Sequence, residues 1–196
     1  MMIFLKNIIK NGKYYLYFPA KRANGIFQIG VAIGESPTGP FTPEPEAIAG
    51  SYSIDPAVFE DEDGKFYMYY GGIWGGQLQK YRNNQYASEY EEPIDIEPAL
   101  GPIVALLSDD MKQFAEEPKE IKILDENGKV LLAGDHDRRF FEASWMHKYN
   151  GKYYFSYSTG DTHYICYAIG DTPYGPYTYQ GRILNPVVGW TSHHSI

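Results

Sequence analysis

The sequence predicts an all-β chain laid out as consecutive propeller blades, and three observations carry that expectation. Residues 11–18 (NGKYYLYF), 63–70 (DGKFYMYY) and 150–157 (NGKYYFSY) repeat one unit: an Asn-Gly or Asp-Gly step, a lysine, and an aromatic-rich alternating run. Residues 29–41 (IGVAIGESPTGPF) return as residues 165–177 (ICYAIGDTPYGPY). Tyr 19, Phe 10, Gly 20 and Pro 13 in 196 residues suit many short strands joined by tight turns.

Each element of the blade then has a local reason. Asn-Gly and Asp-Gly between alternating runs signal hairpins, because the turn residues need positive φ. Strand-like runs at residues 55–59 (DPAVF) and 144–149 (SWMHKY) stand ahead of the second and third hairpins and supply first strands. Ser/Thr-Pro-x-Gly-Pro closes each long repeat with a tight turn before an outer strand. The unit is four antiparallel strands, which is a propeller blade. Gly12 and Gly64 are 52 residues apart, and Gly64 and Gly151 are 87 apart, the latter one blade plus an insertion.

The insertion is expected between Trp74 and Asp135, where residues 86–98 (YASEYEEPIDIEP) are acidic and weakly periodic. Residues 108–117 (SDDMKQFAEE) read as loop and outer strand of the middle blade rather than a helical turn. The expected blades are residues 1–48, 52–124 and 138–184 of a single partial propeller domain over residues 1–196, with another blade opening near residue 191. A β-sandwich also has short strands, but it does not require near-identical units. Three blades and a start do not close a ring, and the exposed strand edges favour self-association.

Lys+Arg 17 against Asp+Glu 25 leaves a net charge of −8, which argues against nucleic acid or an anionic membrane as the main partner. Hydrophobic residues at 43% and charged residues at 21% describe a folding chain. Cys166 stands alone, so the chain has no internal disulfide framework, and its small apolar surroundings make it a buried, inert thiol. No apolar run approaches the roughly 18–20 residues of a bilayer span, and the N-terminal stretch lacks a secretory h-region. The chain reads as soluble; its compartment stays open, since an export signal would lie upstream, as in a secreted or periplasmic protein.

The start of a first strand faces the shared central funnel of a propeller, and two carboxylates occupy that place. Asp55 precedes Gly64 by nine residues, and Glu142 precedes Gly151 by nine. Taken singly, Asp55 before Pro56 suits an Asx turn and Glu142 suits an ion pair with Arg138 or Arg139. The matched offsets instead put one carboxylate from each of two blades at the same height. Such a pair suits glycoside hydrolysis, in which an acid protonates the leaving oxygen and another carboxylate activates water or tunes the acid. Phe141 and Trp145 flank Glu142, and apolar surroundings raise a carboxyl pKa.

The segments SIDPAVFEDEDGKFYMYYGG, FFEASWMHKYNGKYYFSYSTG and TSHHSI together resemble glycoside hydrolase family 43, the five-bladed propellers that include β-xylosidases, α-L-arabinofuranosidases and arabinanases. The resemblance implies inverting hydrolysis of xylosyl or arabinofuranosyl linkages in pentose-containing plant carbohydrates, with no cofactor required. It implies Glu142 as general acid and Asp55 as the aspartate that tunes and orients it. The family's base sits in a first-blade Asp-Pro motif; none precedes residue 11, and residues 4–8 (FLKNI) match a second-blade motif poorly. The general base is therefore expected outside this chain, which would span blades two to four and the opening strand of blade five. His193 resembles the fifth-blade histidine that faces the channel centre and holds a calcium ion or water; His194 would point the opposite way on a strand.

Trp74, after the middle blade's second strand, is a candidate sugar platform or else a loop aromatic packed on a blade face. Gly71-Gly72 and Gly75-Gly76 lack the features of a phosphate loop. His136, Arg138 and Arg139 read as solvated loop charges. The reading from another functional class is a carbohydrate-binding or interaction propeller without catalysis.

Overall fold

A computed structural model describes residues 8–186 and 193–194. Three blade-like sheets, each with a four-stranded antiparallel core, follow one another along the chain. The first holds β1 (Ile8–Lys10), β2 (Lys13–Lys21), β3 (Phe27–Gly34) and β4 (Phe41–Pro43), paired in sequence order. The second uses β5 (Ala57–Glu60), β6 (Phe66–Tyr70), β9 (Ile103–Leu106) and β10 (Lys119–Glu120); the intervening β7 (Tyr81–Arg82) and β8 (Gln85–Tyr86) form a separate hairpin. In the third, β12 (Glu142–Tyr149), β13 (Lys152–Ser158), β14 (Ile165–Gly170) and β15 (Tyr177–Leu184) again pair in order.

The hairpins form where the turn chemistry puts them. Asn11 and Gly12 have φ of 51° and 74°, and Asn150 and Gly151 have 49° and 73°, so both central residues lie in the left-handed region that a two-residue hairpin matching strand twist requires. The Asp-Gly hairpin differs. Only Gly64 has positive φ, and Asp61 N–H donates to Lys65 O at 2.9 Å, closing a longer turn. That turn leaves the buried Asp61 carboxylate facing the third sheet.

Residues 71–102 form the insertion, between the second and third strands of the second sheet, and carry two 3-10 turns, Trp74–Gly76 and Leu78–Lys80. Residues 108–117 are loop, and the outer strand of that sheet is β10 instead. One further strand has no counterpart in the repeat pattern: β11 (Ile123–Leu124) crosses to the third sheet and pairs parallel to β15, with Ile123 opposite Tyr177.

Burial follows from sheets packing face to face. Every residue of β6 is buried, because the second sheet is covered on both faces, whereas β2 buries Tyr15 and Tyr17 and leaves their neighbours half-exposed. Tyr69, Phe155 and Tyr177 pack between the second and third sheets with ring centroids 5.9 and 5.6 Å apart, and burying such a side chain contributes about 1.5–3 kcal/mol. Hydroxyls tie the sheets together: Tyr17 donates to Met111 O at 2.8 Å and Tyr69 to Pro173 O at 2.8 Å. Among the described residues no helix is long and apolar enough to cross a membrane.

Candidate active site

Antiparallel pairing fixes where chemistry can gather. The Gly-turn hairpins lie at one end of each sheet, so the beginnings of the first strands and the loops between second and third strands lie at the other. Asp55 stands two residues before β5 and Glu142 opens β12, and these first strands are neighbours. Oxygens of Asp55 and Glu142 and a ring nitrogen of His193 all lie within 4.8 Å of one another.

The backbone around Asp55 is bent to reach this point. Ser53 and Asp55 have φ of 63° and 57°, a region that costs non-glycine residues on the order of 1 kcal/mol or more each. The insertion holds the bend: Gly71 N–H donates to Ile54 O at 2.8 Å, Gly72 N–H donates to Ser53 Oγ at 2.9 Å, and Ser53 Oγ donates to Gly76 O at 2.7 Å. A Cβ on Gly72 or Gly76 would meet Ile54 Cγ1 at 2.7 Å. These glycines let the insertion close over the residue beside Asp55, a role with no signature in the sequence.

Glu142 sits at a β-bulge, with the pairing register shifting between Glu142 and Trp145 and Ala143 at φ 62°. The bulge turns the Ala143 N–H toward the neighbouring sheet, where it donates to Asp55 Oδ2 at 3.1 Å. The Glu142 residue is only 9% exposed, and neither arginine pairs with it. Arg138 is bound to Asp135 and Glu126, and Arg139 lies 3.3 Å from Glu92 and 3.8 Å from Asp161. Burial, and after it the Asp55 charge, push the Glu142 carboxyl up to about 7, with His193 acting the other way.

His193 Nε2 lies 3.0 Å from Asp55 Oδ2, whereas His194 Nε2 hydrogen-bonds Ser156 Oγ at 2.6 Å beside Trp145. The two histidines thus face different ways, with His193 in the site. Burial pulls His193 down, but the bond to Asp55 and the charges of Asp55 and Glu142 outweigh it, so the imidazole titrates above its ordinary value. Burial, then His193 and His147, drive His194 down to about 4. The cluster has cation-site spacing, yet calcium takes about six to eight oxygen ligands, and here two carboxylates stand with a nitrogen already turned to Asp55. A calcium ion held by these groups would draw its remaining oxygens from outside them. The expected opening of a further blade near residue 191, and residues 4–7, lie outside the described residues, apart from His193 and His194.

Trp74 is 42% exposed, packs edge-on against Phe141 at 4.9 Å, and donates its indole N–H to Glu92 Oε2 at 2.7 Å. Arg139 corrects the sequence reading: it is 1% exposed rather than solvated, because Phe141 and the insertion cover it. His136 does remain partly exposed, with Nδ1 2.5 Å from Asp161 Oδ2. Cys166 is buried, and burial raises its thiol to about 11, as befits an inert side chain.

The family profile of glycosyl hydrolases family 43 matches residues 8–188. The chain is 67% identical over 194 residues to xylosidase/arabinosidase 43A of Humicola insolens, covering 95% of this chain and 59% of that protein. It is 65% identical to a xylosidase/arabinosidase of Bacteroides ovatus, covering 96% of this chain and 58% of that protein. The crystal structure of the GH43_1 enzyme from Xanthomonas citri complexed with xylose superposes with a TM-score of 0.95 at 62% identity, over 97% of this chain and 57% of that one. The chain therefore spans a little under three-fifths of the length of these relatives. With a profile match over nearly all its length and these identities, the chain belongs to glycosyl hydrolase family 43.

Proposed function

We propose that this chain carries the general acid and its tuning aspartate for hydrolysis of xylosyl or arabinofuranosyl linkages in pentose-containing carbohydrates. The observation that carries the proposal is Glu142, desolvated beside Asp55, so that a large share of the carboxyl still holds its proton near neutral pH. A carboxylic acid that still holds its proton there donates it to the departing glycosidic oxygen.

Asp55 is assigned tuning rather than base duty on geometry. An inverting acid and base stand roughly 6.5–9.5 Å apart to admit the attacking water, whereas the Asp55 and Glu142 oxygens lie within 4.8 Å. Asp55 Oδ2 is also occupied by Ala143 N–H and His193, contacts that fix the backbone beside Glu142. The base is assigned to a carboxylate outside this chain, and Trp74 is assigned as a sugar platform. Xylosidase and arabinosidase names among the relatives, and the xylose bound in the Xanthomonas citri enzyme, support this substrate class.

The test is hydrolysis of aryl β-xyloside and aryl α-arabinofuranoside by the 196-residue chain and by a version extended upstream through one more blade. Turnover with inverted anomeric product is expected only from the extended version. Equal, substantial rates from both would place the base within this chain. A retained anomer would reassign Asp55 as nucleophile. Pentose binding without turnover by either would favour the non-catalytic propeller.

A further inference from the structure

Among the described residues, Arg139 is the most deeply buried charge, at 1% exposure. Its Nε, Nη1 and Nη2 are buried without a hydrogen-bond partner, although Glu92 Oε1 lies 3.3 Å from Nη2 at ion-pair distance. A guanidinium buried this deeply with its carboxylate partners only at ion-pair distance is costly, and an apolar residue of similar volume often packs in such a place at less cost. Its long-range charge must therefore hold something. Around it runs a closed circuit: Arg139 lies over the Phe141 ring at 5.4 Å, Trp74 packs edge-on against the same ring, and Glu92 joins the Trp74 indole to Arg139. Ile73 N–H donates to Phe141 O at 3.0 Å, so the circuit is fixed to the residue before Glu142. Asp161 Oδ1, 3.8 Å from the same Nη2, adds a second negative charge beside it.

Resting on the hydrolase reading, we infer that Glu92, seated by Arg139, is a positioning residue that holds the Trp74 indole as the wall of a subsite beside the acid, on the leaving side of the scissile bond. The acid delivers its proton to the leaving oxygen, so the sugar beyond that oxygen lies on the Glu142 side, and the exposed indole packs on Phe141, the residue before Glu142. This subsite selects a leaving group that is itself a sugar. Glu92 reaches it only because the insertion of residues 71–102 rises at this end of the second sheet.

The experiment is a double-mutant cycle on the 196-residue chain, reading xylotriose and xylose affinities by calorimetry together with the melting temperature. E92A and W74A should each lower the ratio of xylotriose to xylose affinity by roughly tenfold or more, and the double variant should lower it no further, because Glu92 acts through Trp74. Additive losses would mean that Glu92 touches the sugar itself and would overturn the inference. A lowered melting temperature with an unchanged ratio would mark a purely structural pair and overturn it, as would a wild-type chain with no preference for xylotriose. The hydrolase reading fails separately: a non-additive cycle in a chain whose extended version hydrolyses nothing would leave this subsite standing and remove the catalytic role.

Discussion

At the scale of single residues, the chemistry turns on the unequal environments of two carboxylates. Asp55 is held by Ala143 N–H and His193, while Glu142 has burial and a neighbouring negative charge, which favour its neutral form. In a catalytically competent extended version, the rate should fall as pH rises through about 7, where the acid loses its proton. D55N removes the like charge, so the alkaline limb of kcat/KM should move to lower pH. E142Q should lower kcat for a poor leaving group by about 10²–10⁴-fold, the range for a lost general acid. A pH profile whose alkaline limb is untouched by D55N would separate the two residues. Both positions were legible in the sequence because their offsets to the following hairpin match. Arg139 and Glu92 were not, since their pairing joins residues 47 positions apart that only the folded insertion brings together.

At the scale of elements, local chemistry explains what could be read in advance. The Asn-Gly hairpins and the two Gly-Pro turns are written within a few residues, and they appear where expected. β11 was invisible, because a two-residue strand that joins another sheet in parallel owes its existence to its partner and not to its own sequence. The same dependence governs the loop between β13 and β14. Gly160 has φ of 75°, and a Cβ there would fall 2.2 Å from the Phe141 ring. G160A should therefore cost about 2–4 kcal/mol, combining the left-handed penalty with overpacking, and should disturb Glu142 through Phe141. Urea unfolding reads this cost; a loss below about 0.5 kcal/mol, typical of surface changes, would show that the loop yields freely.

At the scale of the whole molecule, packing of the second sheet on the third makes the site, and each of its two ends reports on it. Away from the carboxylates, buried Asp61 accepts from Lys148 Nζ at 2.8 Å and Tyr153 OH at 2.5 Å, bridging the two sheets. Burial works against that charge, but these bonds and the Glu62 N–H prevail and hold the carboxyl below its ordinary value. A depressed carboxyl contributes stability that is present above its unfolded pKa and is lost as pH falls through its folded one. D61N should cost about 2 kcal/mol near neutral pH, and its stability should respond less to acid than that of the wild type. At the site the sign is opposite, since the raised Glu142 pKa takes stability away as pH rises from its ordinary value toward about 7. Glu142 opens one sheet and Asp55 stands just ahead of the other, so this titration exists only in the assembled molecule. Its direct measurement is the carboxyl carbon shift of Glu142 followed by NMR across pH in the wild type and in D55N. A midpoint near 7 that drops in D55N is the predicted result, and a midpoint near the ordinary ~4.3 in both proteins would contradict the assignment of Glu142 as the acid and of Asp55 as its tuner.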